Sequence, residues 1–116
     1  MAASNASSPV LRQLKIKAGA VKRLVKDKQG YLVEAEEQRR RIEELRQSDA
    51  HPTDIRKQNE VLEESLMMIP DTERRIRAAM QDLENLANSG DPALANTPEL
   101  NDALEAIVSA KAALPQ

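Results

Sequence analysis

Apolar residues recur along this chain at helical spacing, in three blocks separated by turn-forming residues. In the first block one row runs Leu14, Val21, Lys28, Ala35 and Ile42. A second runs Lys17, Leu24, Tyr31, Gln38 and Leu45, and Ala18, Val25 and Leu32 widen the stripe. A stripe this wide predicts contact with two neighbouring helices, as in a bundle. Ser8-Pro9 opens the block with a capping residue followed by a proline suited to the first helical position. Gly19 and Gly30 each cost about 1 kcal/mol relative to Ala, but the period continues on both sides of them. Lys17 and Lys28 stand at seam positions and are expected to snorkel their charges outward along apolar neighbours.

Ser48-Asp49-Ala50-His51-Pro52-Thr53 predicts a short turn and a new helix start, so the second helix should return antiparallel to the first. The second block is the most regular. Ile55, Leu62, Ile69, Ile76 and Leu83 repeat every seventh residue, accompanied by Asn59, Leu66, Glu73, Met80 and Ala87. Pro70 interrupts it, removing a donor and crowding the preceding turn. Ile69 and Ile76 keep phase across Pro70, which predicts one kinked helix rather than two, with part of the Met67-Met68 turn exposed. Asn88 to Asn96 reads as a loop with Gly90 as helix stop, and Thr97-Pro98 repeats the cap-then-proline start. Leu100, Leu104, Ile107, Lys111 and Leu114 mark the third seam, with Ala103 and Ala110 beside it.

The reading is therefore all-α: an elongated, coiled-coil-like, antiparallel three-helix bundle with the second helix kinked at Pro70. Residues 1-8 are expected to form a flexible tail. Residues 9-116 are expected to form a single domain, with helices at about 9-47, 53-88 and 97-114. The composition agrees, with one Tyr, no Phe or Trp, and 31% charged residues.

The chain has no Cys, which removes disulfides, Cys-ligated zinc and a thiol nucleophile. His51 is the sole His, in a turn beside Pro52, where an exposed turn residue or helix cap is expected rather than a metal ligand. Glu36-Glu37, Glu43-Glu44 and Glu63-Glu64 are sequence neighbours about 100° apart on a helix, so they form no converged carboxylate pair. With no clustered glycines there is no phosphate loop. No enzyme, cofactor or small-molecule substrate is expected. Met1 to Ser8 lacks the apolar core of a signal peptide, and no run of about 18 apolar residues exists to span a membrane. Net charge is −2, yet Arg12 to Lys28 carries seven basic residues against Asp27 alone. Arg39-Arg40-Arg41 is interleaved with glutamates and stacking aromatics are scarce, so nucleic-acid binding is the weaker reading. A generic coiled-coil adaptor is the other alternative, which the charged outer faces disfavour.

Two segments carry more than periodicity. One is Leu14-Lys15-Ile16-Lys17-Ala18-Gly19-Ala20-Val21-Lys22-Arg23-Leu24-Val25-Lys26-Asp27-Lys28. The other runs from Val61 through Met67-Met68-Ile69-Pro70-Asp71, followed by Arg74-Arg75 and Ala79. Together they resemble the tubulin-binding cofactor A family, whose pattern reads close to LKIKTGVVKRLVKEK and VLxESRMMIPD. The departures are Leu66 in place of an Arg, Thr72 where a Cys is common, and Ala18 and Ala20 in place of Thr and a Val-like residue. The region after Leu86 and the Ala-Ser-Asn stretch near the N-terminus are not recognisable by motif.

The resemblance implies a helical, cytoplasmic and cytoskeleton-associated chaperone, and the charged faces away from the seam favour a monomer over a dimer. It would capture and stabilise β-tubulin before assembly with α-tubulin, through helical faces. On that basis Lys15, Lys22, Arg23 and Lys26 are expected to meet acidic tubulin surface, and Met67 and Met68 to supply adaptable apolar contact. Glu63, Ser65, Arg74 and Arg75 flank that turn. The structural alternative is that the methionines fill a core irregularity, at least one of them buried, and that the charges only keep the helices soluble.

Overall fold

The computed structural model describes residues 8–115. It is a three-helix bundle: α1 is Pro9–Gln47, α2 is Pro52–Ala87 and α3 is Pro98–Ala113, with a single 3₁₀ turn at Pro92–Leu94 before α3. The expected tail largely lies outside the described residues. By packing, the chain divides into two units. One comprises the described parts of Met1–Val25 and Arg74–Gln116, and the other is Lys26–Glu73.

The first unit holds the buried core. Leu14, Val21, Ile76 and Leu83, all heptad positions, are fully enclosed. They pack with Leu11, Ala18, Val25, Leu94, Ala103, Ala106, Ile107 and Ala110. The seam of α3 therefore runs along its alanines and Ile107. Leu104, expected in that seam, is 43% exposed, and Val108 lies open as well. Small side chains let α3 sit close, and a leucine in the alanine row would hold it away. Leu94, inside the segment read as loop, is a further core residue. Asp91 caps its 3₁₀ turn through Ala93 N–H at 2.9 Å. Thr97 Oγ1 donates to the Leu94 carbonyl at 2.7 Å and accepts from Leu100 N–H at 3.2 Å, so the plug and the cap of α3 share one hydroxyl.

The second unit is a two-helix hairpin. Ala35 and Ile42 are buried, whereas Ile55, Leu62 and Ile69 are only half-buried and Leu32 is exposed. Two of its layers are polar. Lys28 Nζ meets Glu73 at 2.8 Å, with side chains 12% and 16% exposed. Lys28 thus pairs inside the seam instead of snorkelling outward. Gln38 Nε2 donates to Gln58 Oε1 at 2.6 Å and to the Gln58 carbonyl at 3.0 Å. Both pairs step forward on α1 and backward on α2, which makes the hairpin antiparallel.

Asp49, at φ 56°, ends α1 in the left-handed region. Its N–H donates to the Arg46 carbonyl and Ala50 N–H to the Leu45 carbonyl, the paired bonds of a Schellman stop. His51 then starts α2. Its carbonyl accepts from Asp54 and Ile55 N–H, and its Nδ1 accepts from Thr53 N–H at 3.1 Å. The sole histidine is an exposed helix cap.

Helix α2 continues through Pro70. Pro70 cannot donate to the Leu66 carbonyl, and it does so on an exposed turn where solvent can hydrate that oxygen. Thr72, buried just beyond, donates its hydroxyl to the Met68 carbonyl at 2.7 Å. Proline and a back-bonded threonine both favour bending at this turn.

Candidate protein-binding faces

The sequence-predicted residues fall on both units. In the first, Lys15, Lys22 and Arg23 project from the outer side of α1. Lys22 Nζ is held 2.6 Å from both carboxylate oxygens of Asp102 on α3, each side chain about half exposed. Lys15 shares a shallow hollow with Pro98, Glu99 and Asp102 but makes no ion pair among the described residues, and Arg23 makes none either. Arg74 and Arg75 are exposed at the start of this unit's part of α2, and each has a partner. Lys17 pairs with Asp82 and Lys111 with Glu84, tying α1 and α3 to α2.

Three of the predicted residues meet in the second unit. Ser65, Met67 and Met68 line one surface hollow of about 470 Å³ with Tyr31, Glu34, Val61 and Glu64. Met67 is 70% exposed, an unusual placement for a large apolar side chain, and Val61 is also exposed. Met68 is half-buried, so the pair divides between packing and surface. Glu63 is exposed beside the hollow without lining it, and Lys26 is exposed on α1. Sequence reasoning missed Tyr31, Glu34, Val61 and Glu64 as wall residues. Tyr31 was visible only as a member of an apolar row and Val61 only as the start of a motif segment, and the closeness of α1 to α2 is what brings them together.

The units differ in charge. The first carries nine basic against six acidic residues and the second eight basic against thirteen acidic. Such a division gives one chain two surfaces of opposite electrostatic preference. Among the described residues, no three His, Asp or Glu side chains gather to hold a metal ion, and no helix is long and apolar enough to cross a membrane.

The family model described as Tubulin binding cofactor A matches residues 9–107. Tubulin-specific chaperone A of Homo sapiens is 46% identical over 99 residues, covering 85% of each chain. The crystal structure of recombinant tubulin-binding cofactor A from Leishmania major superposes with a TM-score of 0.83 at 30% identity, covering 94% of this chain and 100% of that one. The structure of human tubulin chaperone cofactor a gives a TM-score of 0.72 at 43% identity, over 89% and 99% of the two chains. Matched over nearly the whole of its length in sequence and in fold, the chain belongs to the tubulin binding cofactor A family.

Proposed function

We propose that this chain captures and stabilises β-tubulin folding intermediates before they assemble into the αβ-heterodimer. It does so as a monomeric cytoplasmic chaperone at the service of the cytoskeleton, by non-catalytic binding along its helical faces. The names of its relatives supply tubulin as the client, and the exposed surfaces supply the means.

The observation that carries the choice of face is the basic side of α1. Arg12, Lys15, Lys22 and Arg23 lie within about 100° of the helix circumference, all exposed. Gly19 stands among them. A Cβ added there would meet nothing within 4 Å, so no internal packing requires glycine at a helical position where it costs about 1 kcal/mol relative to Ala. A bare backbone on a charged face lets a partner approach closely. Lys22 is already neutralised in part by Asp102, which leaves Arg12, Lys15 and Arg23 as the basic groups of this face without an ion-pair partner among the described residues. Lys26 and the Met67-Met68 turn with Glu63 and Ser65 on the second unit, and Arg74 and Arg75 on the first, add charged and apolar contact to the client.

The test is capture of β-tubulin by the wild-type chain, by Lys15→Glu with Arg23→Glu, and by Gly19→Ala. The double variant is expected to retain its helicity and lose at least tenfold in affinity. Gly19→Ala is expected to be the more stable protein and the weaker binder. Unchanged capture by the double variant would exclude the basic face of α1 as the binding surface.

A further inference from the structure

The apolar hollow of the second unit has walls, a rim and a repeat of its own. Tyr31 and Val61 with Met67 and Met68 provide its apolar lining, and Glu34 and Glu64 stand on opposite helices at its edge. Neither glutamate makes an ion pair among the described residues. A second, more polar hollow beside it adds Glu37 and, as its one basic group, Arg41. The surrounding unit carries a five-charge acidic excess, thirteen acids against eight bases.

We infer that this hollow seats an amphipathic helix of the client, apolar along one face and flanked by Lys or Arg. This rests on the reading that the chain holds a protein client, and it specifies which kind of segment the second unit holds. Two features select a helix. On α1 the wall residues are three apart, and on α2 they are three or four apart, so the groove repeats once per helical turn. It therefore accepts side chains spaced i, i+3 and i+4 on a third helix. The groove also offers no open strand edge, so an extended segment buried there would leave its own backbone unpaired, while a helix satisfies its backbone internally. The rim selects the charge. Glu34 and Glu64 attract basic flanks and repel acidic ones, which sets preference among apolar helices of equal hydrophobicity. Met67 and Met68 let the wall adjust to different apolar anchors, as suits a chaperone whose client is not fully folded.

Tyr31 is the only aromatic residue in the chain, so its fluorescence reports on this hollow alone. The probe is an 18-residue amphipathic Leu/Lys peptide without aromatic residues, compared with its Leu/Glu twin. The Leu/Lys peptide is expected to shift Tyr31 emission with an affinity that falls with added salt. The Leu/Glu peptide is expected to bind at least tenfold more weakly. Glu34→Lys with Glu64→Lys should reverse that order, and Val61→Asp should abolish the Tyr31 response while the protein stays helical.

Equal binding of both peptides, or a response that survives Val61→Asp, overturns the inference. So does self-association lost on Val61→Asp in sedimentation at rising concentration, because a second copy would then be the occupant. A parallel arm measures β-tubulin capture. Capture by wild type that is unaffected by Glu34→Lys with Glu64→Lys and by Val61→Asp overturns the inference and leaves the proposed function standing. Absence of capture by wild type overturns the proposed function, while the peptide arm still decides what the hollow prefers.

Discussion

Leu83→Ala is expected to destabilise the protein by about 3 kcal/mol, within the range of 2–5 kcal/mol for emptying a fully buried leucine site. Leu83 is completely enclosed in the first unit, where three helices converge and no solvent can fill the space left by its side chain. The same substitution at Leu62, in the same heptad row but half-buried in the two-helix unit, is expected to cost about 1–2 kcal/mol, because less apolar area leaves water there. Urea unfolding monitored by helicity measures both. A total stability of roughly 5–15 kcal/mol is usual for a domain of this size, so Leu83→Ala removes a large share. Equal costs at the two positions would contradict the uneven core.

Glu73→Leu is expected to cost up to about 3 kcal/mol, the low end of the range for breaking a buried ion pair, since both side chains keep slight exposure. The loss comes from leaving the Lys28 ammonium in the seam without Glu73, not from the strength of the pair itself. The double variant Lys28→Met with Glu73→Leu therefore recovers most of the loss, because an apolar layer replaces two desolvated charges. The coupling between the two substitutions, measured by a double-mutant cycle in urea, should be well above 1 kcal/mol in magnitude. Additive effects would place Lys28 and Glu73 apart in solution. The recovered double variant also isolates what the charged layer contributes beyond stability. Such layers fix register in some two-helix seams, and loss of β-tubulin capture without loss of stability would indicate that role here.

Much of the fold was legible because the heptad rows carry it. Leu14, Val21, Ile76 and Leu83 are buried where period seven puts them, and Ile69 and Ile76 keep phase across Pro70, so α2 is a single helix. What could not be read was the difference between neighbours. Period alone treats Leu62 and Leu83 alike, yet burial depends on whether a third helix packs beside them. It ranks Leu104 above Ala103 and Ala106, yet close approach of α3 favours the alanines. Leu94 lay among Asn, Ser, Gly, Asp and Pro, whose turn chemistry was visible but whose single apolar residue carried no period. Lys28 and Glu73 were both in the predicted seam, and only their separation across the hairpin shows that they pair.

The same limit applied to the binding surfaces. The basic start of α1 stands out in the sequence as a charge run, but the partnership of Lys22 with Asp102 spans 80 residues and has no local signal. Met67 and Met68 were singled out by motif. Their wall-mates Tyr31 and Glu34 come from another helix, more than thirty residues earlier in α1, and only packing joins them.

Under the proposed function, this chain holds β-tubulin apart from its finished heterodimer. The most direct measurement mixes the purified chain with isolated β-tubulin and, separately, with intact αβ-tubulin, and resolves the products by size-exclusion chromatography with light scattering. A stoichiometric complex with β-tubulin and little or none with the heterodimer is the predicted result. Equal binding to both, or binding to neither, would contradict it.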